Sequence, residues 1–247
     1  MFIRAALFVA CLSSFAAGPL HAQANGEISL AWNDCGAAGA AARTFACNTN
    51  AGSEALYVSF RPPAGVTDAY QFEADVVVGN IDLSVLPDWW SLLPTTGCRR
   101  TALSASGDFS TAPGGCIDPW NGLAFTSTVV STIVIIPDGL LRRERIRMVV
   151  AVANADAMPL DAATEYYGAR IVFSHARTVG SPACNGCGQP MCLALGPASL
   201  VTTPAHPNRI VLVQTDRHAV VWNGSTGCDR LAPARNRTWG ALKSLYR

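Results

Sequence analysis

Val179-Gly-Ser-Pro-Ala-Cys184-Asn-Gly-Cys187-Gly-Gln-Pro-Met-Cys192 places three cysteines, three glycines and two prolines in fourteen residues. Three chemistries suit a Cys-x-x-Cys-x-x-x-x-Cys run: metal ligation, a redox pair, or structural bridging. Zinc needs reduced thiolates and a fourth ligand, from Cys228 or His218. A redox Cys-x-x-Cys opens a helix whose end lowers the thiol pKa, in an α/β setting. Here the flanks are Pro and Gly, and the neighbouring segments alternate as strands do. Structural disulfides fit this setting. The run then reads as a staple between the strand before it and the segments after it, with no metal.

The redox compartment follows from the start of the chain. Arg4 precedes the small, apolar stretch Ala5–Ala17, and Ala22-Gln23-Ala24 matches a small-x-small cleavage site. Residues 1–24 are therefore expected to be a secretory signal peptide, and the mature protein to be extracellular or periplasmic. Phe8-Val9-Ala10-Cys11 is a poor lipobox, and its apolar region is too short for export. No later stretch offers the ~18 apolar residues of a transmembrane segment.

Nine cysteines become eight once Cys11 leaves with the signal: Cys35, Cys47, Cys98, Cys116, Cys184, Cys187, Cys192 and Cys228. An even number in an exported chain predicts four disulfides. Sequence proximity favours Cys35–Cys47 and Cys98–Cys116. The last four are then expected to pair among themselves, one of the clustered three reaching Cys228. Beyond Arg4 the basic and acidic residues balance, which argues against nucleic acid as a partner.

Strand patterns fill the rest of the chain. Glu27–Trp32, Glu54–Phe60, Ala69–Val78, Leu123–Ile136, Arg145–Val152 and Thr164–His175 alternate or are rich in Val, Ile and Thr. Shorter strands are expected near Ala198–Thr202 and in a hairpin of Arg209–Thr215 and His218–Trp222 joined at Asp216-Arg217. Asp34–Gly52 and Gly97–Gly122 read as long loops that need pinning. About nine to eleven strands separated by Pro, Gly, Asn and Asp turns predict an all-β, disulfide-stapled antiparallel β-sandwich with long loops. The sandwich is expected over residues 25–229. Residues 230–247 read as a basic amphipathic tail. There Thr238 is suited to cap a short C-terminal helix that presents Trp239, Leu242 and Tyr246 to the sandwich or to a partner.

Catalytic signatures are absent. The chain has no Gly-x-Ser-x-Gly and no His-Glu-x-x-His. His175 lies on an apolar strand face and reads as a core-edge residue; His206 sits in a loop between prolines. Asn154, Asp156, Asp161 and Glu165 offer oxygens suited to calcium, but without a glycine-pivoted loop turn chemistry explains them better. Trp89, Trp90 and Trp120 fall in loops and Tyr166-Tyr167 opens a strand. These five are the candidate ligand contacts, stacking on a sugar or filling a partner pocket, against the plainer role of capping the sandwich ends.

Thr164-Glu-Tyr-Tyr167, the strand to His175, Val179-Gly180, the Cys-x-x-Cys, a Trp-ended hairpin and a closing Thr238-Trp-Gly-Ala-Leu-Lys-Ser-Leu-Tyr-Arg247 together resemble uncharacterised exported bacterial β-sandwich proteins. The resemblance spans most of the mature chain. At fold level the long alternating strands are similar to cohesin-like and immunoglobulin-like sandwiches, a likeness that does not imply function. The expected role is a non-catalytic module of the cell surface or extracellular space that contacts protein or glycan. An exported hydrolase acting on a glycan or ester, and a subunit of an extracellular assembly, are the alternatives.

Overall fold

A computed structural model of the chain describes residues 25–80, 82–135, 141–226, 228 and 231. The expected signal peptide and most of the tail, with Trp239, Leu242 and Tyr246, lie outside the described residues. Twelve strands follow one another: β1 Glu27–Trp32, β2 Ala42–Arg43, β3 Ser53–Arg61, β4 Ala69–Gly79, β5 Leu103–Ser106, β6 Phe125–Ile135, β7 Leu141–Ala151, β8 Tyr166–Ser174, β9 Met191–Thr202, β10 Arg209–Val211, β11 Val213–Gln214 and β12 Ala219–Trp222. Helical structure among the described residues is limited to the 3-10 turns Gly36–Ala38, Asp88–Trp90 and Asn154–Asp156.

The strands form two open sheets. One has the order β11-β1-β3-β8-β5; the other runs β2-β12-β9-β4-β7-β6, with β10 also on β9. The long pairings are antiparallel, and only the two-residue contacts of β11 with β1 and β2 with β12 are parallel. Strand alternation supplies the core directly. Ile28, Leu30 and Trp32 of β1 and Leu56, Val58 and Phe60 of β3 bury one face. Phe72, Ala74, Val76 of β4 and Ile146, Met148, Val150 of β7 bury the opposing one. The polar alternates of β4 and β7 lie on the outer face, where Arg147 reaches Glu73 and Asp75 at 3.8 and 3.7 Å and Arg145 reaches Asp75 at 3.9 Å.

One expected hairpin does not form. The segment Arg209–Thr215 divides: β10 pairs with β9, while β11 crosses to pair with β1 in the other sheet. Leu212, buried between them, turns inward and anchors the crossover. β12 then returns to β9 at Leu193 and Ala194. β9 is longer than the Ala198–Thr202 expectation, because Met191–Leu195 of the cysteine-rich stretch already pairs with both β4 and β12.

All eight cysteines are bridged, but not as proximity suggests. The pairs are Cys35–Cys116, Cys47–Cys187, Cys98–Cys184 and Cys192–Cys228. Thus Cys228 does reach one of the clustered three, while the local pairs Cys35–Cys47 and Cys98–Cys116 are replaced by long-range ones. Sheet topology is the reason. β1 and β8 flank β3, so the loops beside them cover the same face. Asp34 then accepts hydrogen bonds from Gly115 N–H and the Tyr167 hydroxyl, holding Cys35 beside Cys116. Arg177 donates to the Cys98 carbonyl and brings it to the loop that carries Cys184. β2 lies against β12, whose Trp222 indole donates to the Cys187 carbonyl at 2.9 Å, and Cys47 follows β2.

Peptide mapping of the unreduced protein is expected to recover these four pairs. Chain-entropy reasoning ranks their worth by the chain each encloses. The Cys47–Cys187 bridge spans 140 residues and Cys192–Cys228 spans 36. Replacing both cysteines of the first with alanine is expected to lower unfolding free energy by about 1 kcal/mol more than the same change in the second. Denaturant melts of the two double variants measure the difference; equal losses would contradict the ranking.

Candidate functional site

The aromatic residues proposed as ligand contacts are buried. Trp89 and Trp90 have no exposed surface, Trp120 has 1%, Tyr167 2% and Tyr166 8%. Trp89, Trp90 and Trp222 form a packed knot with ring centroids 5.0–5.5 Å apart at one end of the sandwich. Trp89 donates to the Thr178 hydroxyl, and Trp120 donates to the Ala69 carbonyl across the loop it closes. Tyr166 and Tyr167 accept backbone N–H bonds from Asp161 and Gly114. Burial, followed by the hydrogen bond to Asp34, pushes the Tyr167 phenol up. All five rings pack inside the protein: Trp89 and Trp90 through the 3-10 turn, Trp120 and Tyr166 in the main core, and Tyr167 against Tyr57 and Phe109.

Arg99 completes the knot. Its guanidinium lies 3.4 Å from the Trp89 ring centroid and donates to the carbonyls of Trp89, Ser174 and Ala176. Burial lowers its pKa to about 9. A cation held by carbonyls and an indole face joins the Trp89 turn to the end of β8.

The titratable clusters are equally committed. His175 stacks on Phe45, and its ring nitrogens bond the Ala51 carbonyl and Glu54, which also pairs with Arg43. His206 is exposed and its Nδ1 faces Asp68 Oδ2 at 3.2 Å, and the Thr203 hydroxyl donates to the same carboxylate oxygen. That oxygen, held by Thr203 foremost, keeps Asp68 below the usual carboxylate range. In the turn whose oxygens suit calcium, Asp161 accepts from Ala163 and Thr164 of its own loop, and Glu165 accepts from Ser59 at 2.7 Å and pairs with Arg61. Glu165 also stands beside Cys35 and Cys116, whose sulfurs are bound to each other.

What remains open is an edge. β6 ends the seven-stranded sheet and is eleven residues long, Phe-Thr-Ser-Thr-Val-Val-Ser-Thr-Ile-Val-Ile, with neither charge nor proline. The other terminal strands are short: two residues in β2 and β11, four in β5. Its outer-face alternates include Phe125, 78% exposed, and Val129, 57% exposed, with Leu123 just before them at 54%. Val130 turns inward against the core. Along the inner side, Leu92, Pro94, Arg100, Leu103 and Ala105 face Thr128 and Val130 across a groove between the two sheets' edges. Glu144 of β7 supports that wall. It is buried opposite Thr132 of β6, and its carboxylate accepts the Leu92 N–H at 2.9 Å. The uncharged run at Leu123–Ile136 was visible in the sequence; its place at the end of a sheet was not.

No protein-family model matches the sequence, and no curated protein does. Among solved structures the chain is similar to the cohesin module of a family 33 glycoside hydrolase from Clostridium perfringens, at 9% identity and a TM-score of 0.33, covering 80% of this chain and 93% of that one. It is also similar to the second type II cohesin module of the cellulosomal adaptor scaffoldin ScaA from Acetivibrio cellulolyticus, at 10% identity and a TM-score of 0.36, covering 82% of this chain and 98% of that one. Likeness at this level carries nothing about function, so the reading below rests on the chain's own residues.

The Glu144 carboxyl gives the groove wall a pH signature. Burial raises its pKa from 4.5 to about 7, against the lowering effect of the Leu92 and Leu93 N–H groups. The folded state therefore holds this proton more tightly than the unfolded chain. The associated stability is fully present below the unfolded value and is lost as pH rises through about 7. Glu144→Gln keeps an oxygen for Leu92 but cannot ionise. It is expected to flatten the fall in melting temperature between those values and to exceed the parent above them. An unchanged slope would show that Glu144 does not titrate in this range.

Proposed function

We propose that this chain is an exported, non-catalytic module that makes a protein contact by strand addition along β6. The observation that carries the reading is the edge itself: a long, uncharged terminal strand with exposed Phe125 and Val129, where every other sheet end among the described residues is short. Native sheets normally blunt such an edge with lysine, proline, a bulge or a covering loop. An edge without lysine or proline, met among the described residues by the Gly107 N–H on the Thr126 hydroxyl, suits a partner backbone, with N–H and C=O groups giving affinity and alternate side chains giving selectivity.

Export is supported by the four disulfides, which persist in oxidising compartments. No helix of the described residues is long and apolar enough to cross a membrane. Protein is favoured over glycan because Phe125 is the one exposed aromatic among the described residues, so no pair of rings offers a flat sugar platform. The hydrolase alternative finds its histidines and its turn carboxylates engaged in the contacts described above. The assembly alternative is the same contact repeated, and it draws on the same strand.

Display of random extended peptides of about 8–11 residues against the folded protein tests this reading. Selected peptides are expected to be rich in β-branched residues. Their affinity is expected to fall at least about tenfold against Val129→Lys, a substitution on an exposed position that costs under about 0.5 kcal/mol of stability. Equal binding to both proteins would move the contact away from β6. Turnover of chromogenic glycosides or esters would replace the reading with the hydrolase.

A further inference from the structure

We infer that the strand received by β6 is β6 of a second copy, antiparallel, about a two-fold axis perpendicular to the sheet at Val129. This inference rests on the reading of β6 as an interaction edge. A two-fold axis in that direction keeps both outer faces on one side, so like-facing residues oppose one another. Centred on Val129, the outer row sets Val129 against Val129, Ser127 against Ser131 and Phe125 against Ile133. The inner row sets Thr126 against Thr132 and Thr128 against Val130. On the outer face, apolar side chains meet apolar ones and hydroxyls meet hydroxyls, the pairing that favours an antiparallel ladder. Moving the axis to Val130 keeps the faces but opposes Val129 to Ser131 and Ser127 to Ile133.

Two further observations point the same way. Among the described residues the Ser131 hydroxyl has no hydrogen-bond partner, and the pairing brings the Ser127 hydroxyl of the second copy opposite it. Charge also permits two identical edges to meet. β6 carries none, and the cations on the same face of β7 are set one strand back: Arg145 and Arg147 face Asp75 and Glu73, and the buried Arg143, opposite Ile133, donates to the carbonyls of Leu83 and Arg142. The contact is small. One strand pair flanked by Leu123, Phe125 and Val129 falls at the low end of interface sizes, under about 1,200 Å². The expected dimer is correspondingly weak, with a Kd in roughly the micromolar range.

Sedimentation velocity of the full mature chain between roughly 1 and 100 μM measures the association. The parent is expected to pass from monomer to dimer, and Val129→Lys to stay monomeric at the highest concentration. Cysteine substitution reads the register. Under mild oxidation Val129→Cys is expected to form a covalent dimer by itself. Ser127→Cys and Ser131→Cys are each expected to stay monomeric alone and to cross-link when mixed. Recovery of the four native disulfides by peptide mapping confirms that each variant has folded. A parent that remains monomeric throughout overturns the self-pairing, as does self-linking of Ser127→Cys at the rate of Val129→Cys. If the parent is monomeric yet extended peptides still bind with sensitivity to Val129→Lys, only the second copy is wrong and the edge stands. Loss of both sinks the edge reading as well.

Discussion

The Cys184–Cys192 stretch converges on three distant parts of the chain. Cys184 holds the loop before β5, Cys187 the loop after β2, and Cys192 the segment after β12. The first two bridges close over the knot of Trp89, Trp90 and Trp222, with Arg99 set against Trp89, while Cys192–Cys228 packs with Ala194 and Leu231 on the other face of β9. Neither part suffices alone. Indoles this large bury well only if something covers the open end of the sandwich, and the covering loops have few apolar side chains of their own to hold them down. The disulfides supply that hold by removing conformations from the unfolded chain, and the rings give the bridged loops a surface to pack on. Trp222 joins the two devices, since its ring is in the knot and its N–H is bonded to the Cys187 carbonyl.

A second, smaller closure works on the outer face of the five-stranded sheet. Cys35–Cys116 draws the loops after β1 and before β6 together over Tyr57, Phe109 and Tyr167. Asp34 sits at its centre, accepting from the Tyr167 hydroxyl and the Gly115 N–H. This explains how a long loop such as Gly97–Gly122 remains ordered without much regular structure. It also explains why the five-stranded sheet has little free outer surface there, whereas among the described residues no strand pairs with the outer edge of β6.

The architecture was legible because it depends on local pattern. Ile146, Met148 and Val150 alternate with Arg145, Arg147 and Val149 on β7, and one set is buried while the other faces out. Cysteine parity likewise announced four bridges. Partner choice was not legible, because it depends on which loops the sheet order sets side by side. Cys35 is twelve residues from Cys47 in sequence but is brought to Cys116 by the adjacency of β1, β3 and β8. The burial of the tryptophans was not legible for a related reason. A loop position suggests exposure, yet these loops fold over the sandwich end and turn their rings inward. The open edge escaped notice because a Thr- and Val-rich strand has the same composition at the margin of a sheet as in its middle.

The contrast between β6 and its neighbours bears on why the edge is bare. One strand inward, β7 carries arginines that pair with the acids of β4, so the outer face of this sheet is charged and well suited to water. The sequence thus places charge where the backbone is already paired and omits it where the backbone is open. Protection against aggregation would do the opposite, since a single lysine on β6 would guard the edge at little cost to the fold. A Thr-, Ser- and Val-rich strand that no other described strand pairs on its outer edge gains most from pairing and loses most from charge. The distribution is therefore that of an edge kept able to receive another strand, and the exposed Phe125 and Val129 are the side chains such a strand would cover.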